Sequence, residues 1–118
     1  MHKIEANSSK NYLHIHLEGF VDSDELDQAV RTIHQEVKKL SKGFTIINDI
    51  SGCKVIKISD TEKVKETQKW LYQQGAKKTI RIVDNVFAQA QFRKTQQSGQ
   101  ALYETTEVAS LAQALGSL

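Results

Sequence analysis

The side chains best suited to chemistry surround residues 44–61, where an apolar run gives way to a carboxylate, a glycine and a polar helix start. Asp49 and Asp60 are residue types that serve as general acid or base, but no surrounding motif assigns them opposite roles. The sequence contains no nucleophile motif and no phosphate-binding loop. We therefore expect no catalytic residue, no cofactor and no enzyme activity.

A second group of candidate ligands lies nearer the N-terminus. His14 and His16 are two residues apart, and with Glu18 they would share one face of a strand, as ligands of a zinc ion do. No further residue completes such a site, so the simpler interpretation is that these polar residues lie on a solvent-exposed face of the sheet. Cys53 is the only cysteine, which excludes an intrachain disulfide and a thiolate cluster. We expect no metal site.

Composition predicts one soluble domain spanning residues 1–118, with 25% charged and 39% hydrophobic residues. No apolar run approaches the roughly 20 residues that span a bilayer, and the N-terminus does not resemble a signal peptide, so we expect a cytoplasmic protein without membrane insertion. Sixteen basic residues against 14 acidic ones give a net charge of only +2, which does not favour nucleic acid as a partner. The densest basic cluster, Lys77, Lys78 and Arg81, is interpreted as a solvated face.

The residues before residue 61 predict a hairpin, a helix and a buried strand. Segments 2–6 and 12–18 form the hairpin, because the second of them alternates apolar and polar residues. Asp22 stands three residues before Glu25, the spacing of a capping box, and opens a helix to about residue 40. Residues 44–50 form an apolar strand typical of the interior of a parallel sheet, with a turn expected at Gly52.

Strands and helices alternate in the remainder of the chain. Ser59 is the expected N-cap of a second helix that ends at Gly75, because Glu62 follows it by three residues. The later predicted elements are a strand over 78–83, a helix over 86–97, a strand over 101–105 and a last helix from 106 or 107.

This order predicts an α/β fold with a mixed, mainly parallel five-stranded sheet that begins with an antiparallel hairpin. Four helices are expected mainly on one face of the sheet. The reason is that His14, His16, Thr79 and Arg81 put polar side chains at alternate strand positions, which indicates a less covered face.

The pattern resembles the STAS domain, the module of anti-sigma factor antagonists and of the cytoplasmic tails of sulphate transporters. Three features carry the resemblance: Leu17-Glu18-Gly19 before a helix, Ile47-Asn48-Asp49-Ile50-Ser51-Gly52 at a strand end, and a helix about seven residues later. The chain is similar in particular to small uncharacterised bacterial STAS-like proteins. The resemblance implies a right-handed superhelix of strands and helices, and a regulatory protein that binds other proteins.

One departure from the family pattern bears on regulation. Anti-sigma factor antagonists of this family carry an Asp-Ser pair at the start of the second helix, and the serine is phosphorylated. Alignment on the strand end places Lys57 and Ile58 at that pair, and isoleucine cannot be phosphorylated. Ser59 and Thr61 are near enough to be candidate phosphorylation sites, where a dianion would suit a helix N-terminus, although a capping role explains Ser59 more simply.

The sequence therefore predicts a non-catalytic interaction module that binds an unidentified protein at the carboxyl ends of its strands. The expected partner-binding residues are Asp49, Ser51, Gly52, Ser59, Asp60 and Tyr72. Tyr72 is included because it lies two residues from Trp70 and so on another face of the helix. The alternative is a small-molecule or lipid carrier related in fold to Sec14-type lipid-transfer domains, and a homodimer is compatible with either function.

Overall fold

The computed structural model describes residues 1–53, 60–82 and 104–118. The described strands are β1 (His2–Asn7), β2 (Tyr12–Gly19), β3 (Thr45–Cys53), β4 (Lys78–Ile82) and β5 (Glu104–Val108). The described helices are α1 (Ser23–Val37), α2 (Thr61–Gln73) and α3 (Leu111–Gly116). The strands form one sheet in the order β1-β2-β3-β4-β5, antiparallel between β1 and β2 and parallel elsewhere. The α/β class and the initial hairpin are confirmed, and the helix predicted over 86–97 lies outside the described residues.

Helix α1 begins as its sequence predicts. The Asp22 carboxylate accepts a hydrogen bond of 2.8 Å from the backbone N–H of Glu25. Val21 and Leu26, on either side of this cap, both belong to the core, the arrangement of a hydrophobic staple. The helix ends at Val37, three residues before the predicted end, and Gly43 then turns the chain with a φ of 86°.

The sheet has two faces that are covered by different helices. On the first face, Leu13, Ile15 and Ile46 pack beneath α1 and α2. On the second face, Ile47, Ile80 and Ile82 pack with Ala114 of α3. Two of the three described helices thus lie on the first face, in keeping with the predicted fold.

The reasoning that led to this prediction was partly wrong. Thr79 pairs with Ile46 and Arg81 pairs with Asn48, so both lie on the first face, whereas His14 pairs with Ile47 on the second. Thr79 and Arg81 are only 3% and 1% exposed. The polar positions of the two strands therefore do not mark one uncovered face, because the register of β3 between them places them on opposite sides.

Further element boundaries also differ from the predicted ones. Strand β3 continues to Cys53, so Gly52 belongs to the strand, where it pairs with Glu18. Helix α2 begins at Thr61 after Asp60, while Ser59 lies outside the described residues. Strand β5 extends to Val108, which pairs with Ile82, and α3 starts only after Ser110. The β-branched residues before Val108 suit a strand, and the Ser110 hydroxyl accepts from the N–H of Gln113 as a helix cap.

The outer edge of β1 is held by a side chain of α1. The backbone N–H of Ala6 donates a hydrogen bond of 3.1 Å to the Glu36 carboxylate, which also lies 2.7 Å from the Lys39 ammonium. These two donors, Lys39 first, hold the pKa of Glu36 below its ordinary value of 4.5. An edge amide that would otherwise face solvent is thereby satisfied.

Candidate functional site

The carboxyl ends of β2, β3 and β4 form one edge of the sheet, here called the carboxyl edge, at which α1 and α2 begin. Glu18 and Gly19 at the end of β2 pair with Gly52 and Cys53 at the end of β3. The register shifts by one residue just before these pairs, between His16 and Glu18. Such irregularities bend a strand and are frequent next to functional sites.

Asp49 lies at this edge but does not present an open carboxylate. It is 8% exposed, and its Oδ2 atom is 3.6 Å from Nε2 of His14 on the neighbouring strand. Burial lowers the pKa of His14 below its ordinary value of 6.5, and the nearby Asp49 carboxylate opposes that shift without overcoming it. His14 is therefore neutral at pH 7, and its ring and the Asp49 carboxylate form a buried contact between the two strands.

Asp60 is also buried, at 4% exposure, directly before α2. The Ser23 hydroxyl, in the first turn of α1, contacts both of its carboxylate oxygens, at 2.9 and 3.1 Å. A second contact joins the same two helices, because the Lys63 ammonium lies 2.7 Å from the Asp27 carboxylate. The starts of α1 and α2 are thus tied together, and Asp60 acts within that link.

Tyr72 does not lie at the carboxyl edge. Helix α2 runs away from that edge, and the Tyr72 hydroxyl is hydrogen-bonded to the hydroxyl of Thr79 near the beginning of β4. Leu71, 1% exposed, is the inward residue of this turn, and Trp70 and Tyr72 flank it against the core. Trp70 also stacks on His34 of α1, with ring centroids 3.8 Å apart. Its spacing from Trp70 did not show whether Tyr72 faces solvent, because both aromatic residues border the buried stripe centred on Leu71.

The other predicted partner-binding residues are only partly described. Ser51 and Gly52 are residues of β3, and Thr61 is the first residue of α2. Ile58 and Ser59 lie outside the described residues. The structure thus brings the backbone of Ser51 and Gly52 and the buried carboxylates of Asp49 and Asp60 to the carboxyl edge.

Sequence reasoning missed the apolar side chain that is most exposed among the described residues of this edge. Phe20 follows β2 directly and is 72% exposed, and Gly19 before it has a φ of 69°. Asp22 and Asp24, both exposed, stand beside it at the start of α1. No local signal in the sequence distinguished Phe20 from a core residue, because Gly43 also turns the chain at a positive φ and is followed by the buried Phe44.

The described residues offer little to a metal ion or a large ligand. Within residues 1–53, 60–82 and 104–118, no three His, Cys, Asp or Glu side chains come together as a metal site. His16 and Glu18 are 3.8 Å apart, while the His14 and His16 ring centroids are 6.1 Å apart. A cavity of about 50 Å³ lies between the first face, α1 and α2, and is lined mainly by aliphatic side chains such as Ile33, Ile46 and Leu71. No helix in the described part of the chain is long and apolar enough to span a membrane.

Comparison with known proteins identifies the fold. No protein-family model matches the sequence, and no curated protein matches it. Solved structures do match, and they show that the chain has the SpoIIAA-like fold that its resemblance to the STAS domain predicted.

Two of these structures cover nearly the whole chain. The structure of the anti-sigma factor antagonist SpoIIAA in its unphosphorylated form superimposes with a TM-score of 0.72 at 18% identity, over 99% of this chain and 96% of that one. An uncharacterised protein of the DUF3478 family with a SpoIIAA-like fold, from Shewanella loihica PV-4, gives a TM-score of 0.72 at 13% identity, over 100% of this chain and 92% of that one. Identities this low show the fold alone.

Proposed function

We propose that this chain is a non-catalytic regulatory module, a single cytoplasmic domain that binds a protein partner at its carboxyl edge. The observation that carries the proposal is the likeness of fold, over nearly the full length of both chains, to an anti-sigma factor antagonist. Such an antagonist works by binding another protein, and the likeness extends to both ends of the chain. Proteins that share a fold often differ in function, so the residues of the site must also support this one.

Phe20 is the side chain of this edge that we propose as the anchor for a protein partner. Aromatic side chains are enriched in protein interfaces, because a partner pocket that covers an exposed ring removes a large apolar area from water. Phe20 has this character, with acidic residues beside it and the ends of β2 and β3 below. We include Ser51, Gly52 and Ser59 in the proposed surface, together with the buried carboxylates of Asp49 and Asp60 at the same edge. We leave out Tyr72, because its hydroxyl is bonded near the beginning of β4.

Phosphorylation at Ser59 or Thr61 would act on this surface through charge. The start of α2 favours a dianion through its helix dipole. The buried Asp60 carboxylate and the exposed Glu62 carboxylate next to it oppose a further negative charge. We therefore infer that a phosphate here would weaken the Ser23 to Asp60 link and would change how the carboxyl edge is presented. Intact mass measurement of the protein isolated from its own cells tests whether such a phosphate is added.

Affinity capture with paired variants tests the proposed surface. Phe20→Ala removes the anchor, and Leu111→Ala is the matched control, because Leu111 is also exposed, at 37%, but lies on α3. We expect at least one protein to be captured by the parent and by the control variant and to be lost with Phe20→Ala. If the three chains capture the same proteins in the same amounts, the carboxyl edge is not the binding surface.

The dimensions of the cavity favour this function over a carrier. Sites for small molecules and lipids generally enclose about 300 Å³ or more, whereas the cavity between the first face, α1 and α2 measures about 50 Å³. Native mass spectrometry of the purified protein distinguishes the two functions, because a carrier would retain a bound lipid and an interaction module would appear at its bare mass. The same measurement reports whether the chain forms a homodimer.

A further inference from the structure

Three loops meet at the end of the molecule opposite the carboxyl edge, and hydrogen bonds hold them together. Asn11 in the β1–β2 turn exchanges two side-chain hydrogen bonds with the backbone of Ser41, at 3.1 and 2.9 Å. The loop that follows α1 is joined to the loop that follows α2 through Gly43 N–H to Gly75 O, at 2.6 Å, and through Lys77 N–H to Phe44 O, at 2.9 Å. These contacts make one continuous surface from segments that are far apart in sequence.

This surface is built around lysines, and we call it the lysine end: Lys10, Lys38, Lys39, Lys42 and Lys77. All five are exposed, and the loop segments 8–11, 38–44 and 74–77 contain no Asp or Glu. Within the described part of the chain, Lys39 is the one member with an ion pair, to Glu36. The other four ammonium groups at this end therefore have no carboxylate within 4 Å among those residues.

Stabilisation of helix ends accounts for only part of this cluster. The C-termini of α1 and α2 both lie here, and their partial negative charge favours Lys38 and Lys39 in the residues that follow α1. Lys10 lies in the hairpin turn and Lys77 in the approach to β4, so neither belongs to a helix end. The loops thus carry more positive charge than the helices require.

The chemistry of the lysine end distinguishes among anionic partners. Lysine is depleted in protein–protein interfaces, which also need an apolar anchor, and the aromatic ring of these loops, Phe44, is 1% exposed. Nucleic-acid sites combine arginine forks with exposed aromatic rings for stacking, and neither occurs in the three loops. A broad set of lysines without an apolar anchor fits a surface of diffuse negative charge, such as anionic lipid headgroups.

We propose that the lysine end binds the surface of an anionic lipid bilayer without inserting into it. The charge at the other end of the molecule supports this orientation, because residues 17–30 contain five acidic residues and no Lys or Arg. Two of these carboxylates are paired, Glu25 with the Met1 ammonium and Asp27 with Lys63, and the remaining ones make an anionic surface less favourable to this end than to the lysine end. The carboxyl edge consequently faces away from the lipid and stays open to a protein partner.

Vesicle sedimentation tests the proposal. The parent chain should sediment with vesicles of phosphatidylcholine and phosphatidylserine, should stay in solution with phosphatidylcholine alone, and should be released by added salt. Lys10→Gln/Lys77→Gln removes two loop lysines, and since each lysine contributes about 1 kcal/mol near such a surface, binding should fall about thirtyfold. Lys3→Gln/Lys65→Gln is the matched control, because both lysines lie away from the three loops, and it should bind as the parent does.

Three outcomes would overturn the proposal. The first is a parent chain that does not sediment with phosphatidylserine vesicles at low salt. The second is an equal loss of binding in the two double variants, which would reflect net charge and not the lysine end. The third is binding of a fluorescent oligonucleotide by the parent, sensitive to Lys10→Gln/Lys77→Gln, without any binding to the vesicles. Thermal melts of both variants confirm that each is folded, and none of these results depends on whether Phe20 binds a protein.

Discussion

Removal of the Ser23 hydroxyl should destabilise the domain through the carboxylate that it leaves behind. Asp60 is 4% exposed, and the Ser23 hydroxyl lies within hydrogen-bond distance of both of its carboxylate oxygens. A hydrogen bond to a charged group contributes about 1.5–3 kcal/mol, and loss of the donor leaves Asp60 with its full cost of burial. We expect Ser23→Ala to lower the free energy of unfolding by about 2 kcal/mol.

Urea unfolding followed by circular dichroism measures this change. With an m-value of about 2 kcal/mol per molar urea for a domain of this size, a loss of about 2 kcal/mol lowers the midpoint by about 1 M. Ala is a better helix former than Ser, so any effect of the substitution on α1 itself would raise stability. A lower midpoint therefore reports the lost contact with Asp60.

A double-mutant cycle assigns the effect to the pair. Asp60→Ala removes the acceptor, and in that background Ser23→Ala should cost almost nothing, which gives a coupling energy of at least about 1 kcal/mol. A coupling energy below about 0.5 kcal/mol, the usual error of additivity, would show that Ser23 and Asp60 contribute independently. In that case this hydrogen bond does not link the starts of α1 and α2, and the role assigned to the buried Asp60 carboxylate is wrong.

Three further predictions concern a loop glycine, the core and the second face. Gly75→Ala should lower the free energy of unfolding in urea by about 1–3 kcal/mol, because Gly75 has a φ of 111° and an added Cβ would lie 2.9 Å from Cγ of Lys42. Gly116→Ala is the control and should be nearly neutral, because a Cβ added at Gly116 would meet no atom of another part of the chain within 4 Å. Leu71→Ala should leave a cavity in the core and lower the free energy of unfolding by about 2–5 kcal/mol. Leu111→Ala, on the surface, should change the melting temperature little, and equal changes in the two variants would contradict the inward orientation of Leu71. Since the pKa of His14 is lowered in the folded state, the unfolded chain binds more protons below pH 6.5, so stability should decline as the pH falls through that value. Thermal melts of His14→Gln across this range should show a smaller decline, and parallel curves would contradict the assignment.

The local signals in the sequence were sufficient for most of the fold. The Asp22 cap, the apolar series of α1 and the alternation of β2 each depend on neighbours in the chain, and each is found in the structure. The end of β5 was misplaced because Val108 is compatible with either a helix or a strand on local grounds. Its pairing with Ile82, 26 residues earlier, decides the matter, and such a pairing is not visible in one sequence.

The candidate site was harder to predict, since it depends on which face each residue occupies. Alternation assigns a residue to one of two faces within a strand, but it does not relate the faces of different strands. That relation is set by register, which placed Arg81 and His14 on opposite sides. Asp60 looked like a surface carboxylate for a similar reason, because its partner, Ser23, comes from another helix 37 residues earlier.

The contact between Glu36 and the backbone of Ala6 has a consequence for how this protein behaves in acid. A strand edge with an unsatisfied amide is a template on which further chains can add, and here a carboxylate of the adjacent helix occupies that position. Because the pKa of Glu36 is lowered, the acceptor stays charged to a more acidic pH than an ordinary glutamate would. Once it is protonated it accepts more weakly, and we expect the edge of β1 to become more open to pairing with a strand of another chain.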